Sequence, residues 1–116
     1  MAKYIRDVGH STPTFNVAVD DTPGILVQTG ETLLFSYSIL NNEAAVSYLQ
    51  IFDAAALGDV TLGTTVADMV LATPASGAIQ GALPMPVYFS LGLCIFCTTD
   101  STGSTGASQD VGLAIA

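Results

Sequence analysis

The chain has 116 residues and a mass of 11.9 kDa, which is enough for one compact domain but not for two. Half of the residues are hydrophobic and 10% are charged, which excludes disorder, and the most apolar stretch, Val87–Cys97, is far shorter than the roughly 20 residues of a membrane-spanning helix. Two basic and ten acidic residues give a net charge of −8, which argues against nucleic-acid binding and against lysine or arginine chemistry.

The shortage of charge also predicts assembly. Lys and Glu, which normally dominate exposed positions, total three in this chain. The surface must therefore be built from Ser, Thr, Asn, Gln, Gly and Ala, and a small domain leaves part of its apolar surface exposed. This composition suits a protein that is held against other subunits. The first residues carry basic side chains with no apolar run behind them, so we expect no secretory signal peptide.

The N-terminal part of the chain differs from the rest in its predicted structure. Residues 1–23 contain several turn signals and are predicted to form an extended arm or a first edge strand. Inside this segment, Phe15–Val19 alternates with period two, as a short strand does. Residues 24–116 are predicted to form a single β-sandwich domain.

Two segments carry the strongest strand signals. Thr32–Leu40 places Phe35, Tyr37 and Ile39 on one predicted face and serines on the other, which is the pattern of a half-buried strand. Gly92–Thr98 is strongly apolar, which predicts a central strand.

The remaining segments complete an all-β pattern. Helix is the rival prediction for residues 42–57, which are rich in Ala, but their β-branched and aromatic residues favour a strand. Pro84 and Pro86 predict that Leu83–Val87 is a sheet edge or a crossing loop, and residues 99–110 predict a flexible loop. Other strands or short apolar segments are predicted at 24–28, 45–52, 60–65, 67–71, 78–83 and 111–116. Seven or eight strands indicate an antiparallel β-sandwich, jelly-roll or immunoglobulin-like.

Cys94 and Cys97 form a C-x-x-C motif inside the predicted central strand. Residues three apart in a strand point to opposite faces and lie about 10 Å apart, beyond the roughly 7 Å that a disulfide permits. A thioredoxin-type site needs a helix N-terminus, and a zinc site needs four ligands, whereas the chain has two cysteines and one histidine. We predict two reduced thiols that pack as small apolar side chains, with metal or redox roles as the alternative.

The titratable residues do not predict an enzyme. His10 is the only imidazole, and it lies in the predicted arm, where a Ser-His-Asp relay cannot be held in its geometry. Most acidic residues lie at predicted turns, which turn chemistry and solubility explain. A glycosidase pair would need more aromatic lining than this chain without Trp provides, and Ca²⁺ between loops remains the alternative. We predict no catalytic residue, no cofactor and no metal site.

A candidate partner-binding surface combines the arm with the predicted sheet edge. The arm carries the only two cations of the chain beside two apolar side chains, ahead of an anionic body. We expect it to clamp an acidic neighbour, with a frayed terminus as the alternative. The aromatic residues are expected in the core, although the pair that follows the two prolines is placed to meet a neighbouring subunit. The predicted partner-binding residues are Lys3, Tyr4, Ile5, Arg6, Tyr88 and Phe89.

Four short motifs follow one another over about two thirds of the chain. They are AVSYLQIFDAA at Ala45–Ala55, VTLGTTV at Val60–Val66, PASG at Pro74–Gly77 and FSLGL at Phe89–Leu93, ahead of a Thr- and Gly-rich loop. Each motif alone is unspecific, but their succession from Asn42 to Ala116 resembles small structural proteins of tailed bacteriophages. The chain departs from this pattern at Cys94 and Cys97, where small or aliphatic residues are expected, and in its long first segment.

The resemblance implies a β-sandwich component of the virion, on the capsid exterior or at the neck, without catalytic residues. We therefore expect a capsid decoration (cement) protein that is made in the host cytoplasm, binds the major capsid protein lattice and stabilises the head. Its expected partners are the major capsid protein and copies of itself, as a homotrimer or another symmetric oligomer, with no nucleic acid and no membrane. The alternative is a binding module displayed on the neck, tail or head fibre, which contacts host surface glycans or a receptor through the 99–110 loop.

Overall fold

The computed structural model of the protein describes residues 14–18 and 24–116. Within these ranges the chain forms eight strands and a single turn of 3₁₀ helix, at Leu57–Asp59. The strands are β1 (Thr14–Ala18), β2 (Ile25–Thr29), β3 (Thr32–Leu40), β4 (Ser47–Asp53), β5 (Met69–Thr73), β6 (Ala78–Phe89), β7 (Gly92–Thr98) and β8 (Ser108–Ile115). The prediction of an all-β sandwich is confirmed.

The strand order identifies the sandwich as a jelly roll. The first sheet has the order β1-β8-β3-β6 and the second sheet has the order β2-β7-β4-β5. The antiparallel pairs β1–β8, β2–β7, β3–β6 and β4–β5 are nested, as if one long hairpin had been wrapped around a barrel. Eight strands in this arrangement form a jelly roll, whereas the immunoglobulin fold divides its strands differently between its sheets.

The hydrophobic core lies between the two sheets. Apolar side chains at alternate positions of the central strands point inward, because successive side chains of a strand lie on opposite faces. The most deeply buried are Leu34 and Ile39 on β3, Leu49 and Ile51 on β4, Leu93, Ile95 and Cys97 on β7, and Val111 and Leu113 on β8. Removal of this apolar surface from water is the main contribution that stabilises the sandwich.

The outer face of the second sheet carries another apolar cluster. Phe52, Ala54, Cys94 and Phe96 are buried there, and the two phenyl rings meet edge to face with centroids 5.5 Å apart. The connection between β4 and β5, residues 54–68, folds over this cluster, and we call it the cover segment. Its contacting side chains are Leu57, Val60, Leu62 and Ala67. β7 is therefore buried on both faces, and the predicted central strand is confirmed.

A bulge in β3 corrects the predicted face of this strand. Its register on both neighbouring strands shifts between Leu34 and Ser36, so Phe35 is an extra residue and the alternation restarts after it. Leu34, rather than Phe35, joins Tyr37 and Ile39 on the core side. The prediction that Phe35 shares this face is wrong because strict alternation does not survive a bulge.

β6 is an edge strand of the first sheet and runs through both prolines. The predicted edge position is confirmed, because β6 has β3 as its one neighbour among the described strands. Ala82 of β6 pairs with Ser36, and Val87 pairs with Leu34. The four residues Leu83–Pro86 of β6 therefore lie opposite a single residue of β3 and form a bulge. Pro84 and Pro86 lack an N–H and are tolerated in this edge bulge, where no ladder bond is required of them.

Several boundaries differ from the predicted ones. The short apolar segment predicted at residues 60–65 lies in the cover segment, and β8 begins at Ser108, so the predicted 99–110 loop is shorter. Thr14–Ala18 form β1 at the edge of the first sheet, paired with β8. The rest of the predicted arm, residues 1–13 and 19–23, lies outside the described residues.

Candidate functional site

The structure separates the predicted partner-binding residues. Tyr88 is 55% exposed, whereas Phe89 is 1% exposed and belongs to the core, so only the tyrosine of this pair presents surface. The residues predicted in the arm lie outside the described part of the chain, and they are Lys3, Tyr4, Ile5, Arg6 and His10.

Tyr88 lies beside two carboxylates at the end of β6. Its hydroxyl donates a hydrogen bond to the side chain of Glu31. The pKa of Tyr88 is raised above its ordinary value, mainly by desolvation. The negative charge of Glu31, this hydrogen bond and the charge of Asp53 raise it further. Tyr88 is therefore a neutral phenol on an acidic part of the surface.

The carboxylate of Asp53 holds the turn between β6 and β7. One oxygen accepts hydrogen bonds from the backbone N–H and the hydroxyl of Ser90, at 3.0 and 3.1 Å. The other accepts the N–H groups of Leu91 at 2.8 Å and Gly92 at 3.3 Å. Partial desolvation raises the pKa of Asp53, but these bonds to the charged form outweigh it and lower the pKa below its ordinary value of 3.8.

At the same turn, the backbone of two other segments passes close to Gly92. A Cβ at this position would lie 2.6 Å from the carbonyl oxygen of Ala54 and 2.8 Å from that of Gln28. The missing side chain therefore lets β2, β7 and the start of the cover segment come together.

An acidic groove lies beside the cover segment at this end of the second sheet. The backbone N–H of Asp53 donates a 2.7 Å hydrogen bond to Asp68, and the Asp68 N–H donates to the carbonyl of Ile51 at 2.9 Å. The groove has a volume of about 330 Å³. The groove is lined in part by three carboxylates and three apolar side chains, which are Asp53, Asp59, Asp68, Val60, Val66 and Leu91. Val66 and Leu91 are 86% and 55% exposed, so the groove combines negative charge with apolar surface.

Sequence reasoning missed this groove. It placed the acidic residues at turns and assigned them to solubility, and it found no role for Val66 or Leu91. The groove forms because the cover segment folds back on β4 next to the β6–β7 turn, and spacing along the chain does not reveal such a contact.

The outer face of the first sheet is a second candidate surface. Small uncharged side chains from three adjacent strands line a shallow groove of about 560 Å³. They include Ser36 and Ser38 on β3, Gln80 and Ala82 on β6, and Gly112 and Ala114 on β8. The cover segment lies on the other sheet, and the residues that line this groove carry no charge.

The loop predicted to contact a receptor folds onto the second sheet. The N–H of Thr99 donates to the carbonyl of Thr105 at 2.9 Å, which closes the loop on itself. The buried amide of Gln50 donates to Thr98 at 2.8 Å and to the carbonyl of Gly103 at 3.2 Å. These bonds tie the loop to β4 and β7.

Buried polar groups join the two sheets at the end of the sandwich that lies opposite the acidic groove. The amide of Gln109 on β8 donates a 2.7 Å hydrogen bond to the hydroxyl of Ser47 on β4. The Oε1 atom of Gln109 and the hydroxyl oxygen of Thr73 are buried without a hydrogen-bond partner among the described residues. A buried polar group without a partner destabilises the fold, so Thr73 is a site where an apolar substitute is favoured.

The two cysteines are free, buried thiols on opposite faces of β7, as predicted. Burial raises the pKa of Cys97 to about 12, against a hydrogen bond with Ser47 that lowers it and the charge of Glu43 that raises it. Burial and the charge of Asp59 raise the pKa of Cys94. Because the thiolate is the reactive form, both groups are poor nucleophiles at neutral pH.

Neither a metal cluster nor a membrane-spanning helix is present in the part of the chain that the structure describes. No three His, Cys, Asp or Glu side chains there are grouped to hold a metal ion, and no helix there is long and apolar enough to cross a membrane. Comparison with known proteins finds no matching family model and no matching curated protein. The chemistry of the two surfaces is therefore the basis for assigning a function.

Proposed function

We propose that this protein is a bacteriophage virion structural protein, a decoration or cement protein that binds the major capsid protein lattice and stabilises the head. The jelly roll is an architecture of viral capsid domains, but lectins and cupins share it. A fold by itself does not identify a function, so the support has to come from the surface.

The outer face of the first sheet is the observation that carries this proposal. Its groove is lined by Ser, Ala, Gly and Gln residues together with one Tyr and one Leu, and none of them is charged. Small neutral side chains let another protein surface approach closely, and no buried charge has to lose its hydration. Apolar surface buried there would contribute about 25 cal/mol per Å².

The scarcity of charge on the whole chain supports the same conclusion. Only 10% of the residues are charged, and the exposed apolar side chains include Val66, Met85 and Leu91. Permanent contact with other subunits would cover such groups.

Binding to purified heads tests the proposal. We expect the protein to co-sediment with heads of the virus that encodes it, at a fixed number of copies per capsid subunit measured by mass spectrometry. Ser38→Arg places a cation on the outer face of the first sheet and should abolish co-sedimentation. Thr102→Arg adds the same charge on the exposed loop of the other sheet and serves as the control.

Three results would refute the proposal. The protein could fail to bind heads under any condition, bind them equally well with Ser38→Arg, or bind host surface glycans while ignoring heads. The last result would favour the displayed binding module instead.

A further inference from the structure

We infer that the N-terminal segment of one copy docks in the acidic groove of a neighbouring copy, with Lys3 and Arg6 facing the groove carboxylates. This inference deepens the proposed function, and it rests on the part of that function which has copies of the chain assemble with one another. It names the segment and the surface that would hold them together.

The charge distribution along the chain singles out this occupant. Residues 24–116 contain seven carboxylates and neither Lys nor Arg. Both cations of the chain lie within four residues of each other, in the sequence Lys3-Tyr4-Ile5-Arg6. A Lys or Arg side chain that meets the groove from this sequence can therefore come only from the N-terminal segment.

The groove matches the chemistry of that segment. In an extended chain, alternate side chains share a side, so Lys3 lies with Ile5 and Tyr4 lies with Arg6. Each side then offers one cation and one apolar group. The groove offers the same combination, with Asp59 and Asp68 close to exposed apolar side chains. A neutral apolar partner would bury these carboxylates unpaired, which is unfavourable.

The reach of the segment allows it to dock on a neighbouring copy. Thr14, the first residue of β1, pairs with Gly112 at the edge of the first sheet, whereas the groove borders the second sheet beside β4. Eleven positions separate Lys3 from Thr14, and an extended chain of that length spans roughly 36–40 Å, enough to reach another molecule as well as the chain's own groove. The choice of a neighbouring copy follows from the proposed assembly of copies, and isotope mixing distinguishes the two arrangements.

Zero-length cross-linking provides a direct test, because Lys3 is the only lysine of the chain. A carbodiimide joins its amine to a carboxylate in contact with it, and the product is located by mass spectrometry after chymotrypsin digestion. The full-length protein is prepared with ¹⁴N and with ¹⁵N, and the two forms are mixed before the reaction. We expect Lys3 joined to Asp59 or Asp68 in peptides of mixed isotope, as an inter-copy contact requires.

Charge reversal provides the second test, with self-association measured by analytical ultracentrifugation. Lys3→Glu with Arg6→Glu, and separately Asp59→Lys, should each weaken association roughly tenfold. Combining the three substitutions should recover most of the loss. Glu43→Lys makes the same charge change on an exposed side chain of the β3–β4 connection and should leave association unchanged.

The inference is overturned by cross-links confined to single-isotope peptides, which would show each segment docked on its own body. Cross-links only to carboxylates outside the groove, a chain that stays monomeric at high concentration, or charge reversal without rescue would also overturn it. The proposed function fails separately, through the absence of binding to heads, and a protein that binds heads without segment exchange would contradict only this inference.

Discussion

Replacing Asp53 with Asn should destabilise the fold by detaching the β6–β7 turn. The carboxylate accepts four hydrogen bonds from Ser90, Leu91 and Gly92, at 2.8 to 3.3 Å. The amide of Asn keeps one acceptor oxygen and turns an NH₂ group toward backbone donors. About half of the bonds are therefore lost, and the rest lose their charge assistance.

The size of the effect follows from these bonds and from the exposure of the site. A hydrogen bond to a charged group contributes about 1.5–3 kcal/mol when it is shielded from water. Water competes at this partly exposed position, so we expect Asp53→Asn to lower the free energy of unfolding by roughly 2 kcal/mol in total. For a domain of this size, the melting temperature should fall by roughly 6–12 °C.

The effect should also depend on pH with a definite sign. The pKa of Asp53 in the folded chain is below its ordinary value of 3.8, so its contribution is present above that pH and is lost as the pH falls below it. The gap in stability between the natural chain and Asp53→Asn should therefore be widest near neutral pH and close under strong acid.

Chemical denaturation followed by circular dichroism, at neutral pH and near pH 3, measures both predictions. Asp59→Asn removes the same charge from an exposed carboxylate nearby and is the control. If Asp53→Asn is no more destabilising than Asp59→Asn, or if the gap between the natural chain and Asp53→Asn widens in acid, the role assigned to the turn is wrong.

Four further substitutions and one labelling experiment probe other parts of the fold. In chemical denaturation, Thr73→Val should be neutral or should stabilise the fold by about 1 kcal/mol, because the Thr73 hydroxyl has no partner among the described residues. Ser47→Ala should destabilise the fold by about 1–3 kcal/mol, because the buried amide of Gln109 loses its hydrogen-bond acceptor. Gly92→Ala should destabilise by about 1–3 kcal/mol, since its methyl would lie 2.6 Å from a carbonyl oxygen, whereas Gly58→Ala, which points into open space, should be silent. Cys97, with its pKa near 12, should resist a thiol reagent at pH 8 until denaturant is added, and rapid labelling of the native protein would contradict its burial.

The local patterns in the sequence predict much of the fold. The apolar run of Gly92–Thr98 predicted a central strand, and the cover segment explains why both faces of this strand are buried in a chain this small. The same periodicity placed Cys94 and Cys97 on opposite faces. These predictions succeeded because side-chain alternation depends only on the backbone of the strand itself.

The features that alternation cannot predict arise from contacts between distant parts of the chain. The bulge at Phe35 is a property of how β3 pairs with two neighbours, and no pattern within β3 encodes it. The nested pairing that selects a jelly roll joins strands far apart in sequence. Asp53 illustrates the same limit for the site, because its hydrogen bonds reach the turn almost forty residues later.

The two sheets differ in what faces outward, and this difference gives the molecule two distinct sides. The cover segment, residues 54–68, packs on the outer face of the second sheet, where Phe52 and Phe96 would otherwise be exposed. On the outer face of the first sheet, the groove is lined by uncharged, mostly small residues, which leaves a surface that another protein can approach closely. The acidic groove lies at the border of the covered side. A particle protein that contacts the capsid through one sheet and its own copies through the other would use both sides at once, without competition between them.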